Sequence, residues 1–306
     1  MNYVIPGGSG IVGQGLAQAL LANGHSVQIL SRNPSGDEIE WDGQNLGEWA
    51  SCLDGADVVV NLAGRSVNCR YTKKNLKQLM DSRVDSTRVV GEAIAQAANP
   101  PRVWLQMSTA TIYAHTFGDA NDDETGVIGG NEPDVPRYWD YSIDIGKAWE
   151  AEQEKADTPK TRKVALRTAM VMGRQKDGIF GVLCGLTRKG LGGSLAGGRQ
   201  YMSWIHEDDF NNAIEFLVEN DLSGPINLAA PNPLPQREFQ AVLRNALGIK
   251  IGLPATKWMV KLGAIFMRTD PELVLKSRKV VPKRIVDAGF EFEFNSWQYA
   301  SKALLR

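Results

Sequence analysis

Apolar positions along this chain change period repeatedly, and the changes mark out elements. Tyr3-Val4-Ile5 is a short apolar run entering a glycine-rich turn, Gly7-Gly8-Ser9-Gly10-Ile11-Val12-Gly13. An amphipathic run, Leu16 to Ala22, comes next and stops at Asn23-Gly24, a pair suited to ending a helix. Val27 to Leu30 reads as the next strand. Together these make a β-turn-α-β unit of about 30 residues, which calls for a parallel sheet and a right-handed crossover. Ile39-Glu40-Trp41 predicts a weak strand. Asp57 to Asn61, with its triplet Val58-Val59-Val60, predicts a strand buried on both faces, since an unbroken apolar run offers no face to water. Residues 73–98 have helical periodicity and end at Asn99-Pro100-Pro101. Val103 to Met107 is strand-like, 138–156 helical, and Val164-Ala165-Leu166 a further strand. Strands alternating with helices give an α/β fold of the Rossmann, doubly wound parallel class.

The pattern changes after about residue 170. Glycines crowd the stretch from Gly173 to Gly198, and Pro225, Pro231, Pro233 and Pro235 punctuate the next part of the chain. Helices are predicted at 207–219 and 236–247. The expected organisation is a nucleotide-binding Rossmann domain over 1–170, with part of 200–230 returning to it. A smaller C-terminal substrate lobe takes 171–306.

Composition narrows the function. The formal net charge of the 306 residues is -1, without the basic surplus of a nucleic-acid binder. The locally basic Lys276 to Lys279 reads as a solvated face. Cys52, Cys69 and Cys184 are odd in number and far apart, as are His25, His115 and His206, so neither disulfides nor a metal site are expected. No stretch reaches the roughly 18 consecutive apolar residues of a membrane span, and no targeting segment is visible. The expectation is a cytoplasmic protein, monomer or homodimer, taking a small molecule and contacting neither nucleic acid nor membrane.

The glycine turn carries the clearest chemistry. Gly7 permits the turn out of the strand, Gly10 lets backbone approach a pyrophosphate, and Gly13 lets the helix pack close to the sheet. The helix then aims its first N–H groups, at Ser9 to Val12, toward the phosphates. At the end of the second strand stands Leu30-Ser31-Arg32-Asn33. No acid is there to hold ribose hydroxyls, and Arg32 is placed to pair with a 2′-phosphate, which favours NADP (NADPH). A plain surface arginine is the alternative. Asp42 is placed to reach the adenine edge, with an ordinary surface aspartate as the alternative. Leu62, Ala63 and Gly64, after Asn61, let backbone pass close to the cofactor. Pro6 lacks an N–H and so has to sit at the strand end.

Several marks together resemble a known family. They are the glycine turn, Asn61 to Gly64, Ser108-Thr109-Ala110-Thr111-Ile112-Tyr113, Ser82-Arg83-Val84 with Thr87-Arg88, and Trp149-Glu150. Leu166-Arg167-Thr168, Trp204 to Asp209, Ser277 to Pro282 and Gly289 to Phe292 complete the set. In order and spacing these are similar to atypical extended short-chain dehydrogenase/reductases (SDRs), an epimerase-like group with a short C-terminal domain of its own. The resemblance implies NADP binding, with Arg167 among the cofactor residues, and no particular substrate.

SDR chemistry needs a Ser or Thr hydroxyl, a tyrosine, and a lysine four residues on that lowers the tyrosine pKa from about 10. By analogy Thr109 faces substrate with Ser108 beside it, and Tyr141 is the best-placed tyrosine. Ile145, not lysine, stands four residues on. Lys147 lies about 240° around the helix from Tyr141 and cannot act from its face. Tyr113, Arg199 and His206 are candidate substrate groups; a packing tyrosine, a solvated arginine and a helix cap are their alternatives. Two functions stand: an NADP-dependent oxidoreductase or epimerase acting on a small carbonyl, hydroxyl or sugar-nucleotide-like substrate, and an NADP-binding sensor or scaffold without turnover.

Overall fold

Alternate residues of the first strands enter two different cores. Tyr3, Ile5, Val58, Val60, Val103 and Leu105 pack on one face of the sheet, while Val4, Val59 and Trp104 pack on the other. A strand whose successive side chains point to opposite faces has to be apolar throughout when both faces are covered. This is why Val58 to Val60 is unbroken.

The computed structural model describes residues 1–133 and 135–306. Its first half runs β1 (Asn2–Pro6), α1 (Ile11–Ala22), β2 (Ser26–Ser31), β3 (Ile39–Glu40), β4 (Val58–Asn61), α2 (Lys73–Gln96), β5 (Val103–Thr109), α3 (Asp140–Lys155) and β6 (Arg162–Thr168). Then come β7 (Met170–Met172), α4 (Ile179–Arg188), β8 (Tyr201–Met202), β9 (Trp204–His206), α5 (Glu207–Glu219), β10 (Gly224–Leu228), β11 (Leu234–Pro235) and α6 (Gln236–Ala246). The tail holds α7 (Lys257–Phe266), α8 (Glu272–Leu275), α9 (Lys283–Asp287) and α10 (Trp297–Ala303).

Seven strands form one sheet in the order β10-β6-β5-β4-β1-β2-β3, and every pair in it is parallel. The order reverses between β1 and β4, where ligands of doubly wound sheets bind beyond the strand ends. Pro6 is the last residue of β1. Its carbonyl still accepts from Leu62 N–H at 2.9 Å, which keeps the end of β1 paired with β4 although the ring supplies no donor there. Pro225 lies in β10, which among the described residues pairs only with β6, and an edge strand tolerates proline.

The glycine-crowded stretch after 170 is not all loop. α4 forms inside it and buries Phe180 and Cys184. They join Trp204, Phe239, Leu243, Phe294, Trp297 and Leu304 in a separate core. Trp297 stacks on Phe239 with ring centres 4.1 Å apart and donates its indole N–H to the Phe239 carbonyl.

Candidate functional site

The ends of β1 and β4 are neighbours, and this builds the floor of the site. Gly7 has φ +77°, and a Cβ there would lie 2.7 Å from the Ala63 Cα. A Cβ on Gly13 would lie 2.5 Å from the Gly8 Cα. No side chain larger than hydrogen is accommodated at either place. Gly10 differs. Its φ is an ordinary -73°, and a Cβ would meet only the Gly7 oxygen, at 3.4 Å. Space therefore opens in front of Gly10, the N-cap of α1. That helix has no side-chain cap and no acid in its first turn. The N–H groups of its first turn are the donors an anion would meet. Ser9 and Ser31 join the turn to the end of β2 through a 3.0 Å hydroxyl contact. A dinucleotide's pyrophosphate fits this cradle.

Beyond β2 a groove of about 360 Å³ is lined by Arg32, Trp41, Asp42, Asn45, Leu46 and Trp49. Arg32 is exposed and has no ion-pair partner among the described residues. Asp42 is differently occupied from the expectation. Its oxygens accept from Gln44 N–H, Asn45 N–H and the Asn45 amide, and these bonds hold its carboxyl below the usual range. It shapes the groove wall. Leu62 and Ala63 are half-buried. Ala63 N–H donates to Asn61, and Gly64 lies against the buried Arg83 side chain.

Several expected substrate, cofactor and catalytic groups prove to be tied into the protein. Arg167 makes two 2.8 Å bonds to the Glu150 carboxylate and a 2.9 Å bond to the Tyr113 hydroxyl, so its guanidinium is spent on an internal pair. Tyr113 is buried and donates to Asn227 at 2.9 Å. Ser108 donates to Glu150 at 2.7 Å. Arg199 sits over the Phe117 ring. His206 caps α5, accepting from Asp208 N–H, and stacks on Phe294 with centres 3.7 Å apart. Thr109 Oγ1 accepts from Thr111 N–H, which leaves its own proton to donate outward.

Burial pushes the His206 imidazole from 6.5 down to about 4; the Asp208 charge opposes this and Arg174 adds to it. A base depressed on folding contributes stability that is complete above 6.5 and lost as pH falls toward 4. The unfolding free energy of the protein minus that of His206→Asn is thus expected to shrink by roughly 3 kcal/mol between pH 8 and 4. Urea melts across that range check it, and a difference independent of pH would refute it.

Helix α3 turns a different residue inward from the one its sequence suggested. Tyr141 faces α2, where its charged neighbours are Asp81 and Lys77. The face toward the sheet carries Ser142, Gly146 and Glu150, four residues apart. Glu150 bonds Ser108, and a Cβ on Gly146 would touch Ile112 and Thr109 at 3.1–3.3 Å. Ser142 donates to the carboxylate of the fully buried Glu272, at 2.5 Å. Burial and the nearby Glu272 charge push the Tyr71 phenol well above the ordinary value. Among the described residues Glu272 Oε1 has no hydrogen-bond partner, and Arg278 Nη2 stands 3.9 Å away. Burial pushes the Glu272 carboxyl up, toward its neutral form. Lys276 and Arg278 both donate to Thr111, joining the C-terminal lobe to the end of β5. On this inner face the pair four apart is thus Ser142 and Gly146, neither a tyrosine nor a lysine. Counting back in fours from Glu150 would have found it.

Residues 3–229 match the NAD dependent epimerase/dehydratase family. The chain belongs to that family. Residues 255–304 match a further domain of unknown function, DUF1731, so this epimerase-like SDR has the C-terminal extension its sequence suggested. Among curated relatives, the epimerase family protein SDR39U1 of Homo sapiens is 30% identical over 309 residues, covering all of both chains. The epimerase family protein YfhF of Bacillus subtilis is 28% identical and covers 100% of this chain and 98% of that one. The crystal structure of human SDR39U1 (isoform 2) with NADPH aligns with a TM-score of 0.87 at 29% identity, over 99% of each chain. A UDP-N-acetylglucosamine 4-epimerase from Methanobrevibacter ruminantium shares the fold, with a TM-score of 0.74 at 15% identity over 99% of this chain and 96% of that one.

Proposed function

We propose that the chain binds NADP(H) across the β1/β4 switch point and acts as an oxidoreductase or epimerase-like enzyme on a small carbonyl or hydroxyl substrate. The observation that carries this reading is the open space at Gly10 before an uncapped helix N-terminus. Arg32 on the adjoining groove favours the phosphorylated cofactor, as does the human relative solved with NADPH. When bound, the reduced nicotinamide supplies a hydride. Thr109 holds the substrate oxygen through its free hydroxyl proton. Ser142 donates to Glu272 as long as that carboxyl is ionised; once Glu272 is protonated the bond reverses, and a proton can pass from Glu272 through the Ser142 hydroxyl to the substrate oxygen. With that proton delivered to the substrate oxygen, Glu272 is left ionised.

Gly146 favours a second reading, a sensor or scaffold that binds without turnover. No cation at that position lowers the pKa of a neighbouring hydroxyl. Fluorescence titration with NADPH and NADH, followed by mixing with a panel of small carbonyl compounds, separates the two. NADPH is expected to bind about tenfold tighter or more, the ~1.4 kcal/mol of one charged contact, and Arg32→Asp to abolish the preference. Turnover is expected to be lost in Glu272→Gln with binding kept. Equal affinities unaffected by Arg32→Asp would refute the cofactor choice. Tight binding with no turnover on any carbonyl would select the second reading.

A further inference from the structure

Helix α7 presents its apolar face outward. Val260 and Ala264 are the buried residues of the helix, and Val260 packs with Trp139 and Leu275. At about 100° per residue, positions two away on either side look the opposite way. Those positions hold Trp258, Leu262 and Phe266, flanked by Met259 and Ile265, and all five are exposed. Trp258 is 65% and Phe266 79% exposed. Ile251, Leu253 and Met267 extend the patch at both ends of the helix. A contiguous apolar surface of this kind marks a contact site, not an ordinary scatter of exposed side chains.

Charge decides among the possible occupants. No Asp or Glu occurs between Glu238 and Asp270, whereas Lys250, Lys257, Lys261 and Arg268 are present and exposed. Arg70, also exposed, reaches the helix by donating to the Ile265 carbonyl at 3.3 Å. A second copy meeting this face by two-fold symmetry would set the same cations against one another. An anionic lipid surface takes both features, with apolar side chains entering the acyl boundary and cations resting at the phosphates. Tryptophan is favoured at that depth. Ten residues span about 15 Å, half the ~30 Å hydrocarbon core, so the helix lies flat. The expectation of no membrane contact rested on the lack of a spanning segment, which a helix lying flat does not need.

We propose that α7 docks the protein on an anionic lipid bilayer, with Trp258, Leu262 and Phe266 inserted and Lys257, Lys261 and Arg268 at the headgroups. Docking is independent of the nucleotide site. The whole protein is sedimented with vesicles of phosphatidylglycerol and phosphatidylcholine, and with vesicles of phosphatidylcholine alone. Binding to the anionic vesicles is expected to exceed that to the neutral ones about tenfold or more, and to fall when salt shortens screening from about 10 Å to 3 Å. Leu262→Ser with Phe266→Ser, and separately Lys257→Glu with Lys261→Glu, are expected to lower it about tenfold or more, with circular dichroism and NADPH affinity unchanged. Quenching of Trp258 by brominated lipid, absent in Trp258→Phe, reports insertion. Failure of the folded protein to sediment with anionic vesicles overturns the proposal. So does equal binding by either double variant, or self-association that Phe266→Ser abolishes without any vesicle binding.

Discussion

Gly10→Asp is expected to leave the fold intact while weakening NADPH binding by about a hundredfold or more, some 2.7 kcal/mol. The backbone at Gly10 has φ -73° and ψ 166°, which any residue adopts. A Cβ there finds no closer contact than 3.4 Å. Aspartate is moreover a favoured N-cap, and its charge suits the positive end of α1. Thermal stability is expected to hold or rise. The same carboxylate takes the N–H donors that a pyrophosphate needs and repels its charge. Gly10→Ala is the uncharged companion; it fills part of the space and is expected to cost less affinity. Fluorescence titration with a parallel melt reads both quantities. Full NADPH affinity in Gly10→Asp would mean that the cradle is not where phosphate binds.

Glu150→Ala is expected to lower unfolding free energy by about 3–5 kcal/mol. Glu150 and Arg167 are 15% and 11% exposed in their side chains. Removing the carboxylate strands a buried guanidinium and takes the acceptor from Ser108. Tyr113 would be left as its remaining partner. Glu150→Gln keeps an acceptor and is expected to lose less. Glu150→Ala with Arg167→Leu is expected to recover part of the loss, since no unpaired charge remains. Denaturant melts of the three variants test this. A cost below 1 kcal/mol in Glu150→Ala would show that water reaches the guanidinium freely.

The Rossmann half was legible because its signals are local. Val58 to Val60 declares a strand covered on both faces, and Asn23-Gly24 declares a helix end. The floor of the nucleotide site was legible for the same reason, since strand, turn and helix are contiguous. Catalysis was harder to read. A helix rotates about 100° per residue, so choosing Tyr141 over Ser142 turned the inferred site toward α2 and away from β5. Only a fixed point on the inner face, such as Glu150, sets the phase. Glu272 was invisible because it comes from 130 residues further on. Arg167 and Tyr113 look like ligand groups until their partners Glu150 and Asn227 are known. No strand was read at Pro225, yet one forms there, because an edge strand needs no donor from its outer side.

The tail reaches back into the rest of the chain at several points. Asp209 accepts the N–H groups of Glu293 and Phe294, Asn227 donates to the Val281 carbonyl, and Trp297 fills the core that α4 and α6 leave open. Residues 255–304 therefore own no interior of their own. The seam between the two matched families, at about residue 230–255, divides two patterns of descent without dividing a cooperative unit. Such an extension is not a module that recombination can graft onto an unrelated Rossmann chain. Its aromatic residues Phe294 and Trp297 lie in a core shared with α4 and α6, and the extension moved alone would expose them.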